Sequence, residues 1–326
     1  MDTGTHFVMG LALGGLAMTA PAMSTSSVTS TAVMLATVIG SEIPDIDTVL
    51  KLRDNAVYIR HHRGMTHSLP AIFLWPTLIV IGLYPFFPEV DVVHLWFWSF
   101  VAVTLHILVD IFNAYGTQAL RPFSTKWIAL GWVNTFDLFI FLAHLAAIIL
   151  WGIGYNPRFI FPVLFVILFC YYLFRYYLHK RVYKMVMEKI PQAEEVIICP
   201  TYRFFQWRVA VITKKKYFVV RAYFHHIKIL DEYRRLPLPD HPIIQAAQKD
   251  KNIAAFLSFS PVYRWEIIER ADYIEVKFTD LRYRSRGHYP FVAIVHLHHD
   301  LQIRASYTGW IYNTDKLKKK LQVLPD

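Results

Sequence analysis

The sequence predicts a polytopic α-helical membrane domain of about six apolar helices running up and down, followed by a strand-rich α+β domain on the cytoplasmic side. Three observations predict it. The 326-residue chain is 55% hydrophobic, and its apolar residues crowd before Leu178 while its charges mostly follow. Apolar segments near 6–22, 30–44, 68–88, 94–114, 135–155 and 158–178 can be drawn, and the last four reach the ~20 residues a span needs. Beyond residue 190, β-branched and aromatic residues begin to alternate with polar ones. The two domains are expected at 1–180 and 181–326.

The first apolar stretch, Phe7 to Ala20, has the length of a signal-peptide core. No Lys or Arg precedes it and Asp2 is acidic, so it reads as a retained first helix. The first two segments are short and rich in Gly, Ala, Ser and Thr, which lets helices approach closely, as full spans or as a half-inserted hairpin. If all the segments cross, Lys51, Arg53, Arg60, Arg63, Arg121 and Lys126 share one side, joined by Arg175, Lys180, Arg181 and Lys184. Arg158 stands alone on the other. The positive-inside rule makes the richer side cytoplasmic, in a multi-pass protein of the cell's inner or plasma membrane.

Lys180 to Ile190 extends the last helix until Pro191. Strands are expected at Glu195–Ile198, Trp207–Thr213, Tyr217–Tyr223, Tyr273–Phe278, Phe291–His296 and Gln302–Tyr307. Lys214-Lys215-Lys216 makes a hairpin turn, and helices are expected at Pro242–Asp250 and Thr314–Leu324.

Composition excludes some functions. A net charge of +10 suits nucleic acid, but it equally suits span-flanking cations and anionic lipid headgroups. With no zinc-finger spacing, aromatic RNA-binding motif or Walker loop, membrane lipid is the expected partner and nucleic acid is not. Cys170 and Cys199 form no CxxC pair and read as reduced packing thiols.

The chemistry concentrates at one edge of the apolar half. His61-His62-Arg63-Gly64-Met65-Thr66-His67-Ser68 leads directly into the third apolar segment. In the alternating path His6, Glu42, Asp45, Asp47, His62, His67, His106, Asp110 and Asp137 all fall near the cytoplasmic side. His106 and Asp110 stand four residues apart, on one helix face, in almost wholly apolar surroundings. An Asp at the centre of a membrane helix costs ~2.5–3.5 kcal/mol, so it needs a partner. A divalent cation is the strongest candidate, and imidazole plus carboxylate suits zinc or manganese.

Each piece has a plainer alternative. His106 and Asp110 suit a structural hydrogen-bonded pair equally well. Pro44-Asp45-Ile46-Asp47 alone reads first as a capped turn. His61 reads as a solvated loop residue, and Asp137 as a carboxylate favourable to a helix N-terminus. Convergence of separate segments on one edge favours ligands, since the opposite edge carries only Glu89, Asp91 and His94. His144 and His179 read as packing residues. His225, His226, His296, His298 and His299 lack a ligand spacing.

Thr5-His6 before a Gly-rich run, Gly40 with Pro44-Asp45-Ile46-Asp47, His62-Arg63-Gly64 with Thr66-His67-Ser68, and His106 with Asp110 resemble the bacterial inner-membrane metal-dependent hydrolase family of the YdjM type. The resemblance covers the first ~180 residues. That family is regarded as distantly similar to zinc-dependent phospholipase C and its nuclease relatives. The resemblance implies metal ligation by His6, Asp45, His67, His106 and Asp110, with His62 and Asp137 as second choices. The sequence departs from the larger pattern, because no His-x-x-x-Glu follows Asp110 and His6 is not the first residue. One or two ions are therefore expected rather than three.

The implied function is a membrane-bound hydrolase acting by metal-activated water on a phosphoester, such as a phospholipid or lipid-linked phosphate. Asp47 or Asp137 would accept a proton, and Arg63 would steady an anionic oxygen. The rival expectation is a non-enzymatic, metal-stabilised membrane scaffold whose C-terminal domain binds a partner. A transport path is disfavoured, because nothing polar lines the far half of the segments.

Overall fold

The small-residue stretches at the start of the chain form two helices in close contact. In the computed structural model, which describes residues 1–21, 23, 26–313, 317 and 321, α1 spans Thr3–Ala17 and α2 spans Ser27–Glu42. Asp2 caps α1 by accepting from the Thr5 N–H at 3.2 Å, and Ser26 caps α2 through the Thr29 N–H at 3.1 Å. Gly10 permits their approach, because a Cβ there would lie 2.8 Å from the Val38 Cα.

The longer apolar helices follow. They are α4 (Leu69–Leu83, extended by a 3₁₀ turn to Phe86), α5 (Val92–Ile111), α6 (Leu138–Gly152) and α7 (Pro157–Lys189); the short α3 (Asn55–His61) precedes them. Asp91 and Asp137 cap α5 and α6. Among the described residues three stretches are long and apolar enough to cross a membrane, namely Leu69–Phe86, Val92–Ile111 and Pro157–Lys189. α6 is apolar but shorter. The 15 and 16 residues of α1 and α2 extend only ~22–24 Å, less than the ~30 Å of a hydrocarbon core. The helical region therefore shows three candidate spans where about six were expected. Large apolar side chains such as Ile81, Phe97, Phe159 and Phe169 stand exposed on these three stretches, as lipid-facing residues do.

The chain divides into two compact units. The first holds Met1–Asp47, Arg63–Arg181 and Cys199–Phe204; the second holds Thr48–His62, Val182–Ile198 and the chain from Phe205 onward. Thr48–His62, early in sequence, thus packs within the second unit. There α3, capped by Asp54, lies against α9 (Lys251–Phe259) and β8 (Ile303–Trp310). Asn55 donates to the Thr308 carbonyl, and Lys251 pairs with Asp54.

The strand-rich expectation resolves into two four-stranded antiparallel sheets, ordered β1-β2-β3-β4 and β5-β6-β7-β8. The first sheet comprises β1 (Glu195–Pro200), β2 (Gln206–Ile212), β3 (Lys216–Tyr223) and β4 (Ile227–Arg234). The second comprises β5 (Tyr263–Glu269), β6 (Ile274–Asp280), β7 (Phe291–Leu297) and β8. Thr213 and Lys216 close the β2–β3 turn, where the lysine triplet was expected to sit. Strands β4 and β5 were not expected. Both are edge strands with mixed polar composition, so the burial that produces clean alternation is missing. A helix expected at Pro242–Asp250 is found as α8 (Pro242–Gln248), whereas α9 was not foreseen. The helix expected at Thr314–Leu324 lies outside the described residues.

Candidate metal centre

Four elements of the first unit deliver five side chains to one buried place. α1 contributes His6 from its second turn. Pro44 follows α2, and the 3₁₀ segment Ile43–Leu52 carries Asp45. Another short 3₁₀ turn, Met65–His67, carries His67. α5 contributes His106 and Asp110 one turn apart, on a common face. His6, His67, His106 and Asp110 are all 0% exposed.

The distances are short enough for one ion to be held among these side chains. His6, Asp45, His106 and Asp110 each place a ligand atom within 4.8 Å of all the others. His67 Nε2 lies 3.5 Å from Asp45 Oδ1, 3.4 Å from Asp110 Oδ2 and 3.2 Å from His106 Nε2. His6 Nε2 lies 3.4 Å from Asp110 Oδ1, and its ring stacks on His106 at 3.7 Å. A tetrahedral ion with bonds of ~2.0–2.1 Å sets its ligand atoms ~3.3 Å apart.

The tautomers can be read from the outer hydrogen bonds. His106 Nδ1 lies 2.6 Å from the Ser41 carbonyl, which can only accept, so Nδ1 carries the proton and Nε2 presents a lone pair. The Thr66 hydroxyl donates to Asp47 Oδ2 at 2.7 Å, leaving its oxygen to accept from His67 Nδ1 at 3.0 Å. His67 Nε2 is thereby also a lone-pair donor. Two such nitrogens 3.2 Å apart repel unless a cation lies between them. Asp45 Oδ1 and Asp110 Oδ2 accept no hydrogen bond from the described residues, although Arg63 Nη2 is 3.1 Å from the latter. Buried acceptors converging without enough donors fit a divalent cation.

The charges around the set are consistent with this. Burial pushes the His67 imidazole down to about 4, against the opposing pull of Asp45, so it is neutral at ordinary pH. Burial raises the Asp45 carboxyl, and the Arg63 guanidinium is among the groups that pull it the other way, so that the net shift is downward.

Arg63 closes the group from the loop. Its φ of +58° is uncommon outside glycine, and its hydrogen bonds hold it there: its N–H donates to Asp47 Oδ2 at 2.9 Å and Nη2 donates to the Met1 carbonyl at 3.0 Å. The Met1 amine lies 2.8 Å from His6 Nε2 and contacts Asp110.

Not every sequence candidate joins this set. Asp47 is buried, but its Oδ2 is occupied by the Arg63 N–H and the Thr66 hydroxyl, so it orients the loop and His67. Asp137 stands outside the group. Its carboxylate caps α6 at Phe139 and Ile140 and accepts from the Tyr171 hydroxyl at 2.8 Å. That is the helix-terminus role weighed against catalysis from the sequence. His62 belongs to the second unit, where its ring stacks on Tyr58 at 4.5 Å. His61 is exposed. Sequence reasoning gave Thr66 no role of its own and missed Ser41 and Asn113. Asn113 donates to Asp110 Oδ1 at 3.3 Å, while its own oxygen accepts from the Tyr115 and Gly116 N–H groups. Its position three residues after Asp110, just beyond the end of α5, was the available signal.

Comparisons with known proteins agree with this layout. The family model described as YdjM inner membrane protein matches residues 1–182. Models described as the YfhP middle domain and the YfhP C-terminal alpha/beta plait domain match residues 191–233 and 242–321. "Uncharacterized protein YfhP" of Bacillus subtilis (strain 168) is 56% identical over 324 residues, covering 99% of both chains. No solved structure matches.

Proposed function

The chain belongs to the YdjM inner membrane protein family, and from that premise we propose that it is a membrane-bound, metal-dependent phosphoester hydrolase. The observation that carries the proposal is the meeting of His67 Nε2 and His106 Nε2 at 3.2 Å, with two carboxylates beside them and both Nδ1 atoms used as donors. His6, Asp45, His67, His106 and Asp110 would hold one or two divalent ions, zinc by the donor set, with manganese as the alternative. Such an ion supplies Lewis-acid activation of water and of a phosphoryl oxygen.

The chain's own groups supply the rest. The Arg63 guanidinium, a bidentate donor beside the ligands, steadies an anionic phosphate oxygen. Asp47, through Thr66, fixes the orientation of His67. Burial excludes bulk water, which strengthens each of these interactions.

Membrane placement supports an amphiphilic substrate, a phospholipid or lipid-linked phosphate. The cytoplasmic placement of the site and of the C-terminal domain rests on the distribution of Lys and Arg about the apolar segments. The distant likeness to zinc-dependent phospholipase C rests on the order of the motifs alone. The rival reading, a closed structural metal site, draws on the full burial of four of the five ligands. Hydrolysis of a phosphoester panel by purified full-length protein, lost on chelation and restored by zinc or manganese, tests the hydrolase. Stoichiometric metal with no turnover of any substrate favours the structural site.

A further inference from the structure

The first unit contains a cavity of about 300 Å³ among α1, α5, α6 and α7, a volume at the lower end of ligand pockets. Its wall is nearly all apolar, with Val109, Ile140, Leu168 and Leu173 among the residues that form it. A wall of this kind does not retain water.

The lining residues differ in surroundings. Met1 and Thr5 flank the metal group: the Met1 amine touches His6, and Val109, also in the wall, adjoins Asp110. Leu108, Phe169 and Leu173, also in the wall, stand exposed on α5 and α7. Both helices are of spanning length, so these exposed lining residues face the apolar surroundings of the spans rather than water.

One polar atom in the wall has no counterpart. His144 is 2% exposed, and its Nδ1 donates to the Ile140 carbonyl at 2.8 Å. Nε2 is therefore an acceptor, and it has no hydrogen-bond partner among the described residues. A buried acceptor left unpaired is destabilising, and a ligand hydroxyl or amide N–H would recover that cost.

We propose that this cavity receives the hydrocarbon chain of a phosphate-bearing amphiphile, which enters sideways between α5 and α7, points its phosphate toward His6 and Asp110, and meets His144 with a donor near its head. The phosphate's destination rests on the hydrolase reading; the chain site does not.

The test uses the full chain in detergent and a dodecyl phosphate probe bearing a diazirine on its chain. Cross-links are expected on the cavity-lining parts of α5 and α7, displaced by unlabelled dodecyl phosphate and not by butyl phosphate. Leu173→Trp in the exposed part of the wall, which leaves the core intact, and Ile140→Trp within are expected to lower the yield about ten-fold with metal content unchanged. Phe159→Trp, on an exposed face, is expected to leave the yield as it is. Labelling spread evenly over exposed helix faces, or a yield unmoved by Leu173→Trp, overturns the chain site. Cavity labelling without hydrolysis of any phosphoester overturns the hydrolase reading and leaves the chain site standing. Hydrolysis of long and short esters alike, equally indifferent to both tryptophans, does the reverse.

Discussion

His67 and His106, 39 residues apart in sequence, face each other through their Nε2 atoms at 3.2 Å, each with its Nδ1 proton already given to an oxygen. Neither ring can relieve the contact by changing tautomer without breaking its outer hydrogen bond. Asp110→Asn should therefore lower bound metal sharply, because it removes the charge beside both rings while keeping the shape. Asp137→Ala should leave metal content unchanged and cost about 1 kcal/mol of stability as a lost helix cap. Metal content and thermal melting of the purified variants check both.

The outer arm of His67 makes a second expectation. Thr66→Val removes the hydroxyl that links Asp47 to His67, and should weaken metal affinity by about 10–100-fold without abolishing it. Thr66→Ser, which keeps the hydroxyl, should restore most of it. Competition with a chelator of known affinity measures both.

The helical layout was legible because apolar runs are long, and the His106–Asp110 pair because its spacing matches a helical turn. The site's membership was legible only in part. Asp47, Asp137 and the ligands are the same residue types at the same edge, and sequence cannot show whose oxygens are already engaged. The Tyr171 hydroxyl engages Asp137 from 34 residues away, and Thr66 engages Asp47 from 19. The number of spans was legible only in part for a similar reason. Many residues of α1 and α2 are buried against other helices, and burial in protein looks like burial in lipid.

Acid should destabilise the metal-free protein through His67. Its imidazole, ordinarily near 6.5, is pushed down to about 4 by burial, so the unfolded chain takes up the proton first. The contribution, up to about 3 kcal/mol, is fully present above pH 6.5 and is lost as pH falls from 6.5 to 4. Denaturant titration of metal-free protein across that range should show the slope, and His67→Gln should reduce it without abolishing it, because burial pushes the His6 imidazole down as well.

Close helix contact should prove as important as the ligands. Gly10→Val would place side-chain atoms inside the Val38 backbone, since even a Cβ would lie 2.8 Å from its Cα. Separation of α1 from α2 should cost about 1–3 kcal/mol and displace His6, lowering metal content together with melting temperature. Gly82→Ala, at a position with open space around it, should change neither.

The central claim is that these five side chains hold a cation, and elemental analysis of full-length protein purified without chelator tests it most directly. The account predicts about one or two equivalents of zinc or manganese per chain, falling to near zero in His67→Ala protein that still elutes as a folded species. Wild-type protein that holds no first-row metal even after incubation with zinc and manganese, or a His67→Ala variant that holds as much as wild type, would contradict it.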